Sequence, residues 1–232
     1  MIPFDFTVLD LETTGLNPKT DKIIEIGAIR VREGKICEEF STLVNPGRKL
    51  EERIKELTGI TDEELMTAPL LEEVWPRLMA FLGTDILVGH RILFDYSFLK
   101  KAAVNQKASF ERLGIDTLKI ARKCLPDLES RRLPDLCRHY GILHHAHRAV
   151  DDAVATFHLY EKLAAEFPDE TLYAAGPLLY KAKKESPATK AQKEQLYKLI
   201  EKHKLVIECD IDKLSRSEAS RMADKIRFKY GK

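Results

Sequence analysis

No two cysteines stand at metal-ligand or redox spacing, no apolar run approaches a membrane span, and the charges almost cancel. The four cysteines, Cys37, Cys124, Cys137 and Cys209, form no Cys-x-x-Cys pair, which excludes a zinc ribbon and a thioredoxin-like redox site. A chain of 232 residues also has no need of a disulfide framework. Without about 20 consecutive apolar residues there is no transmembrane helix. Met1–Asp5 has neither the basic nor the long apolar region of a signal peptide. These absences lead us to expect reduced thiols, a cytoplasmic location and no membrane partner. A net charge of +1, from 38 Lys+Arg against 37 Asp+Glu, names no partner for the whole chain. Its distribution is uneven: 15 basic residues face 10 acidic ones from Pro168 onwards, and 23 face 27 before it. A basic tail on an acidic body suits a polyanion partner as well as it suits simple solvation.

What is present is an ordered composition, 44% apolar and 32% charged, long enough for one sizeable domain and a small appendage. Phe4–Leu9 reads as a buried strand. Ile23–Val31 and Lys35–Val44, joined at Glu33-Gly34, read as a hairpin and complete an antiparallel meander of three strands. Thr61-Asp62-Glu63-Glu64 fits a capping box. Leu71, Val74, Trp75, Leu78 and Leu82 recur at helical spacing. Short apolar strands at Ile86–Val88 and around Ile115 then alternate with helices at Phe94–Val104, from Asp116 towards Cys124, at Leu133–Tyr140 and at about Ala149–Phe167. Meander followed by alternation predicts an α/β fold, a mixed sheet with helices on its faces. We therefore divide the chain into a body over 1–167, a linker over 168–186 with a helical piece near Leu178–Lys184, and a small basic module over 187–232. The module reads as helix, short strand at Leu205-Val206-Ile207, and helix after a second capping box at Ser215-Arg216-Ser217-Glu218.

Three acidic positions stand at the ends of these elements. Asp10 and Glu12, one residue apart in a strand, point to the same face. Their repulsion gives folding no advantage, whereas a shared divalent cation offsets it. Asp95 sits among apolar neighbours at a helix start. In His147-Arg148-Ala149-Val150-Asp151-Asp152, His147 and Asp152 are five apart and would diverge by about 140° on one helix. If they share a site, His147 lies in the irregular lead-in and Asp152 in the first helical turns, where the helix dipole favours a carboxylate.

Asp-Leu-Glu-Thr-Thr-Gly, then Gly-His-x-x-x-Phe-Asp-x-x-Phe-Leu, then His-x-Ala-x-x-Asp resembles the three motifs of the DEDDh branch of DnaQ-like 3′–5′ exonucleases. That family includes the proofreading epsilon subunit and the PolC-type exonuclease domain of bacterial DNA polymerase III. The resemblance covers roughly Phe4–Phe167. It implies a ribonuclease H-like fold with a five-stranded mixed sheet. It also implies two Mg²⁺ or Mn²⁺ ions held by Asp10, Glu12, Asp95 and Asp152, Asp10 bridging both, with His147 as general base. Substrate contacts are implied at Leu11, Thr13, Thr14, His90 and Phe94. The partners it implies are 3′ ends of single-stranded or frayed DNA and a DNA polymerase subunit; RNA ends are the alternative, and a catalytically silent binding module a second. One position departs from the family: Arg91 stands where Asn is usual, as a phosphate contact or a solvated surface residue.

Plainer readings stand beside these. Asp151 is the alternative to Asp152. Cys137, His139, His144, His145 and His147 invite a zinc site, but at the wrong spacing. Thr13 and Thr14 can shape a turn, His90 can be structural, and Phe94 and Phe98 can be core. The basic module, which resembles one appended to some exonucleases and helicases, suits nucleic-acid contact, protein docking or plain solvation.

Overall fold

The computed structural model describes residues 1–144, 147–207 and 209–231. Six strands form one mixed sheet in the order β3-β2-β1-β4-β5-β6. They are β1 (Phe6–Thr13), β2 (Ile23–Arg32), β3 (Lys35–Leu43), β4 (Leu87–Gly89), β5 (Leu113–Asp116) and the two-residue β6 (Gly176–Pro177). The first three make the expected antiparallel meander, while β4 and β5 add in parallel. The sheet thus has one strand more than the five expected, and β6 comes from the segment read as a linker.

Nine helices are described: α1 (Glu52–Thr58), α2 (Asp62–Thr67), α3 (Leu71–Leu82), α4 (Leu93–Asn105), α5 (Thr117–Cys124), α6 (Leu133–Tyr140), α7 (Ala149–Glu166), α8 (Lys190–Lys202) and α9 (Arg216–Tyr230). Alternation along β1 sorts its side chains between two cores. Leu9 and Leu11, with Ile26 and Ala28 of β2, pack beneath Trp75, Leu78 and Leu82 of α3 and Tyr96 and Leu99 of α4. Phe6 and Val8, with Ile29 and Val31, pack beneath Phe157, Leu159 and Tyr160 of α7. Asp10 and Glu12 continue the second set, so period-2 geometry delivers both carboxylates to the α7 face. They lie within β1 rather than beyond its end.

Residues 168–186 are held against the body. Tyr173 is fully buried with its ring edge-on to Tyr160, and Leu178 fills the space above Gly114, where a Cβ would come within 2.8 Å of it. The Lys101 ammonium donates to the carbonyl of Lys183 at 2.5 Å. No helix forms at Leu178–Lys184; a 3₁₀ turn at Glu170–Tyr173 precedes β6 instead. Two expected capping boxes form, at Thr61/Glu64 and at Ser215/Glu218. Leu205–Ile207 is not a strand, since none of the described residues pairs with it in a sheet; the module is a helix pair with a 3₁₀ turn at Ile211–Lys213.

Candidate metal centre

The site is assembled where β1 passes under the N-terminus of α7. Asp10, Glu12 and Asp152 each offer a carboxylate oxygen within 4.8 Å of the others, and among the described residues this is the one such grouping of metal-capable side chains. Of the two adjacent aspartates, the structure therefore brings in Asp152 rather than Asp151. Asp95 stands just behind. Its carboxylate accepts the Leu11 N–H at 3.1 Å, on the side where β4 has stopped pairing with β1 after Val8 and Val88. Leu11 itself is buried in the core beneath α3 and α4, so its contribution here is this amide.

The electrostatics are those of a site overloaded with negative charge. Burial first, then the carboxylates of Asp95, Asp152, Glu12 and Glu25, push the Asp10 carboxyl well above its ordinary range. Glu12 is pushed up to about 8, by burial and then by Asp152 and Glu25, against the opposing Arg148 guanidinium. Asp95 is raised by burial against the hydrogen bonds it accepts, and Asp152 by burial against its two histidines. Carboxylates crowded out of water that would rather bind protons are a donor set suited to a hard divalent cation, which supplies the missing charge.

His147 lies in the irregular lead-in to α7, as its spacing from Asp152 requires. Its backbone is left-handed at φ 72°, and its N–H donates to one Asp152 oxygen at 2.8 Å. The other Asp152 oxygen meets Nε2 of His144 at 2.5 Å. The zinc reading finds no support among the described residues: Cys137 is packed in the core and burial pushes its thiol up to about 11. His145 lies outside the described residues.

The substrate positions expected from the resemblance are engaged internally. The Thr13 hydroxyl donates to the Gly15 carbonyl at 2.7 Å, and the Thr14 hydroxyl accepts from Arg48 at 2.6 Å and from the Lys22 N–H at 3.0 Å. His90 is held between the Thr117 hydroxyl, 2.9 Å from Nδ1, and the Arg131 carbonyl, 2.8 Å from Nε2; burial lowers its pKa. Phe94 packs against Phe98 with ring centroids 5.1 Å apart. Arg91 is exposed, lies over the Phe94 ring, and has a left-handed backbone at φ 75° whose N–H donates to Asp116. Asn tolerates that backbone region better than most residues, which gives the usual Asn a conformational reason.

Sequence reasoning missed the joint that sets α7 on the sheet. Glu25, 1% exposed, lies opposite Glu12 and accepts from Arg148 Nη2 at 2.8 Å, Arg148 Nε at 3.0 Å and the Ala149 N–H at 3.1 Å. Gly27, opposite Asp10, lets the helix start rest directly on β2: a Cβ there would stand 2.1 Å from the Ala149 carbonyl carbon. The available signals were a lone carboxylate in the apolar run Ile23–Ile26 and a glycine inside a strand, a mark of close backbone approach.

A family model described as Exonuclease (RNase_T) matches residues 7–160. The epsilon subunit of DNA polymerase III from Aquifex aeolicus is 39% identical over 163 residues, 69% of this chain and 81% of that one. The PolC-type DNA polymerase III of Clostridium perfringens is 42% identical over 153 residues, 66% of this chain; the match spans only 11% of that polymerase. Among solved structures, Exonuclease X in complex with 5′ overhanging duplex DNA superposes with a TM-score of 0.58 at 25% identity, covering 70% of this chain and 93% of that one. The nuclease domain of 3′hExo, a DEDDh family member bound to rAMP, superposes with a TM-score of 0.63 at 18% identity, covering 75% and 96%. The ribonuclease H-like fold is thus the fold of this body.

Proposed function

This chain belongs to the exonuclease family, and from that membership and the acidic site we propose that it is a metal-dependent 3′–5′ exonuclease acting on DNA ends and releasing nucleoside 5′-monophosphates. The observation that carries the reading is the convergence of Asp10, Glu12 and Asp152 within 4.8 Å at the meeting of β1 and α7. We assign these three and Asp95 as the residues that would hold two Mg²⁺ or Mn²⁺ ions. Such ions would activate the attacking water and stabilise the leaving 3′-oxygen. His147 is assigned as the proton acceptor; the reading is supported by its place in the lead-in to α7, where its own N–H donates to Asp152. Leu11 and Asp95 act together, the carboxylate tying down the strand between Asp10 and Glu12. Thr13 and Thr14 shape the turn that would receive the terminal nucleotide, and His90 and Phe94 hold the α4 start that carries Asp95.

The relatives named DNA polymerase III support a proofreading or repair role beside a DNA polymerase. A cytoplasmic setting fits the four free thiols, and among the described residues no helix is long and apolar enough to cross a membrane. The test is digestion of labelled single-stranded DNA, mismatched-primer duplex and RNA with Mg²⁺, Mn²⁺ or EDTA. The reading expects the two DNA substrates to be shortened from the 3′ end only with a cation. Preferential digestion of RNA would move the substrate class, and no digestion of any would leave a binding module.

A further inference from the structure

We propose that α9, α8 and the turn over residues 16–21 form a track for single-stranded nucleic acid running away from the candidate metal centre. The inference deepens the nuclease reading and rests on it for the direction of the strand.

The small module has its own core, with Leu196 and Leu199 of α8 against Ala219, Ala223 and Ile226 of α9. It is fastened to the body by charge. Arg221 donates to the Thr20 hydroxyl at 2.5 Å and to the Asp21 carboxylate, and Lys225 pairs with Glu51 at 2.5 Å. Glu218 lies 3.6 Å from Lys22 and 3.8 Å from Arg48. The anchor is placed with care. Asp21 is buried, its second oxygen accepts the Asn17 N–H at 2.9 Å, and it fills the space beside Gly15, where a Cβ would lie 2.6 Å from it. So α9 is fixed to the very turn that follows Asp10 and Glu12. By contour, Asn17 is at most about 25 Å from Asp10.

Between that turn and α9 runs a groove of about 600 Å³ whose lining includes Lys19, Arg221, Asp224, Lys225 and Phe228. On the other flank of α9 a second groove of about 530 Å³ is lined by Gln195, Lys198, Leu199, Lys202 and Arg227. The charged side chains of the two linings are six cations and one acid; Arg221 and Lys225 serve the anchor and Arg227 pairs with Asp224 at 3.2 Å, so the charge substitutions fall on Lys19 and Lys198. The chain before Pro168, by contrast, carries more acid than base. Phe228 is 97% exposed, a large apolar ring offered to solvent among those cations. A ring beside ammonium and guanidinium groups is the chemistry that grips unpaired bases and their phosphates together. A duplex hides its base faces and has no use for the ring. The occupant is therefore a single strand, reaching the grooves only when it extends several nucleotides beyond the metal centre.

The test is fluorescence anisotropy of the full chain in EDTA with dT20, dT4 and a blunt 20-base-pair duplex. Binding in EDTA reads the track without cleavage. The track predicts at least tenfold tighter binding of dT20 than of dT4 or the duplex. Phe228→Ala removes no packed contact and should weaken dT20 binding about tenfold. Replacing Lys19 and Lys198 together by Gln should lower the salt slope of dT20 binding by about 1.4. Equal binding of dT20 and dT4, equal binding of the duplex, or a folded Phe228→Ala protein within twofold of the parent would overturn the proposal. The last outcome would leave that face to a protein partner. Failure of the parent to digest dT20 once Mn²⁺ is restored, with length-dependent binding intact, would overturn the nuclease reading alone.

Discussion

Gly27→Ala is a one-carbon change that should disable the site without touching a carboxylate. The added Cβ would stand 2.1 Å from the Ala149 carbonyl carbon and 2.2 Å from the Val150 nitrogen, against a floor of 3.0 Å for real Cβ contacts. Both neighbours are backbone, so no rotamer relieves the clash. Either β2 or the start of α7 must give by about 1 Å. On the α7 side the move carries Asp152 and His147 away from Asp10 and Glu12, and on the β2 side it strains the Glu25 contacts to Arg148 and Ala149. Overpacking of this kind costs about 1–3 kcal/mol. A 1 Å misplacement of catalytic groups costs on the order of a hundredfold in rate. The assay is steady-state hydrolysis of the p-nitrophenyl ester of thymidine 5′-monophosphate at saturating Mn²⁺. The kcat should fall about a hundredfold with KM changed by less than about threefold, because the ester's own contacts remain. Glu25→Gln is the milder companion, keeping shape while halving the strength of the bonds that pin the helix. A folded Gly27→Ala protein with a kcat within about threefold of the parent would refute the idea that this joint sets the site.

Other expectations follow from the same geometry. In the folded, cation-free protein Glu12 titrates at about 8 and Asp10 well above its usual range, whereas the unfolded chain releases those protons near 4.5 and below. The folded state thus holds the extra protons, and stability is lost as pH rises through that window. The Tm in EDTA should fall between about pH 5.5 and 8.5, and added Mn²⁺ should shrink the fall; a rise in EDTA would contradict the electrostatics. His147→Ala should lower kcat by roughly 10²–10⁴-fold and His144→Ala by less than about tenfold, and reversed losses would reassign the base. Tyr173→Ala, emptying a fully buried position, should cost about 3–5 kcal/mol, or roughly 10 °C of Tm by calorimetry. An unchanged Tm would mean that residues 168–186 add nothing to the body.

The acidic cluster of Asp10, Glu12 and Asp152 was legible because these residues come in short motifs whose periodicity fixes much of the geometry. Period 2 put Asp10 and Glu12 on one face, and the five-residue step from His147 to Asp152 forced the histidine off the helix. The meander and the alternating half were legible for the same reason. What escaped the reading depends on long-range contact. Glu25 meets Arg148 across 123 residues, and nothing local announces that pairing. Residues 168–186 look like a linker by composition, yet Tyr173 and Leu178 find places against Tyr160 and Gly114 that only the folded sheet creates. Leu205–Ile207 has strand chemistry but, among the described residues, no neighbouring edge to pair with, so pattern gave way to context. His90 faced the opposite problem: its motif position suggested substrate, while Thr117 and the Arg131 carbonyl occupy both ring nitrogens.

The central claim is cation-dependent removal of nucleotides from a 3′ end by the carboxylates around Asp10. Its most direct test is one single-stranded DNA oligonucleotide, labelled at the 3′ end in one tube and at the 5′ end in the other, incubated with Mg²⁺. The account predicts immediate release of the 3′ label as a mononucleotide, a descending ladder from the 5′ label, and neither in EDTA nor with Asp10→Ala. Release of the 5′ label first, or the same ladder in EDTA or from the folded Asp10→Ala protein, would contradict it.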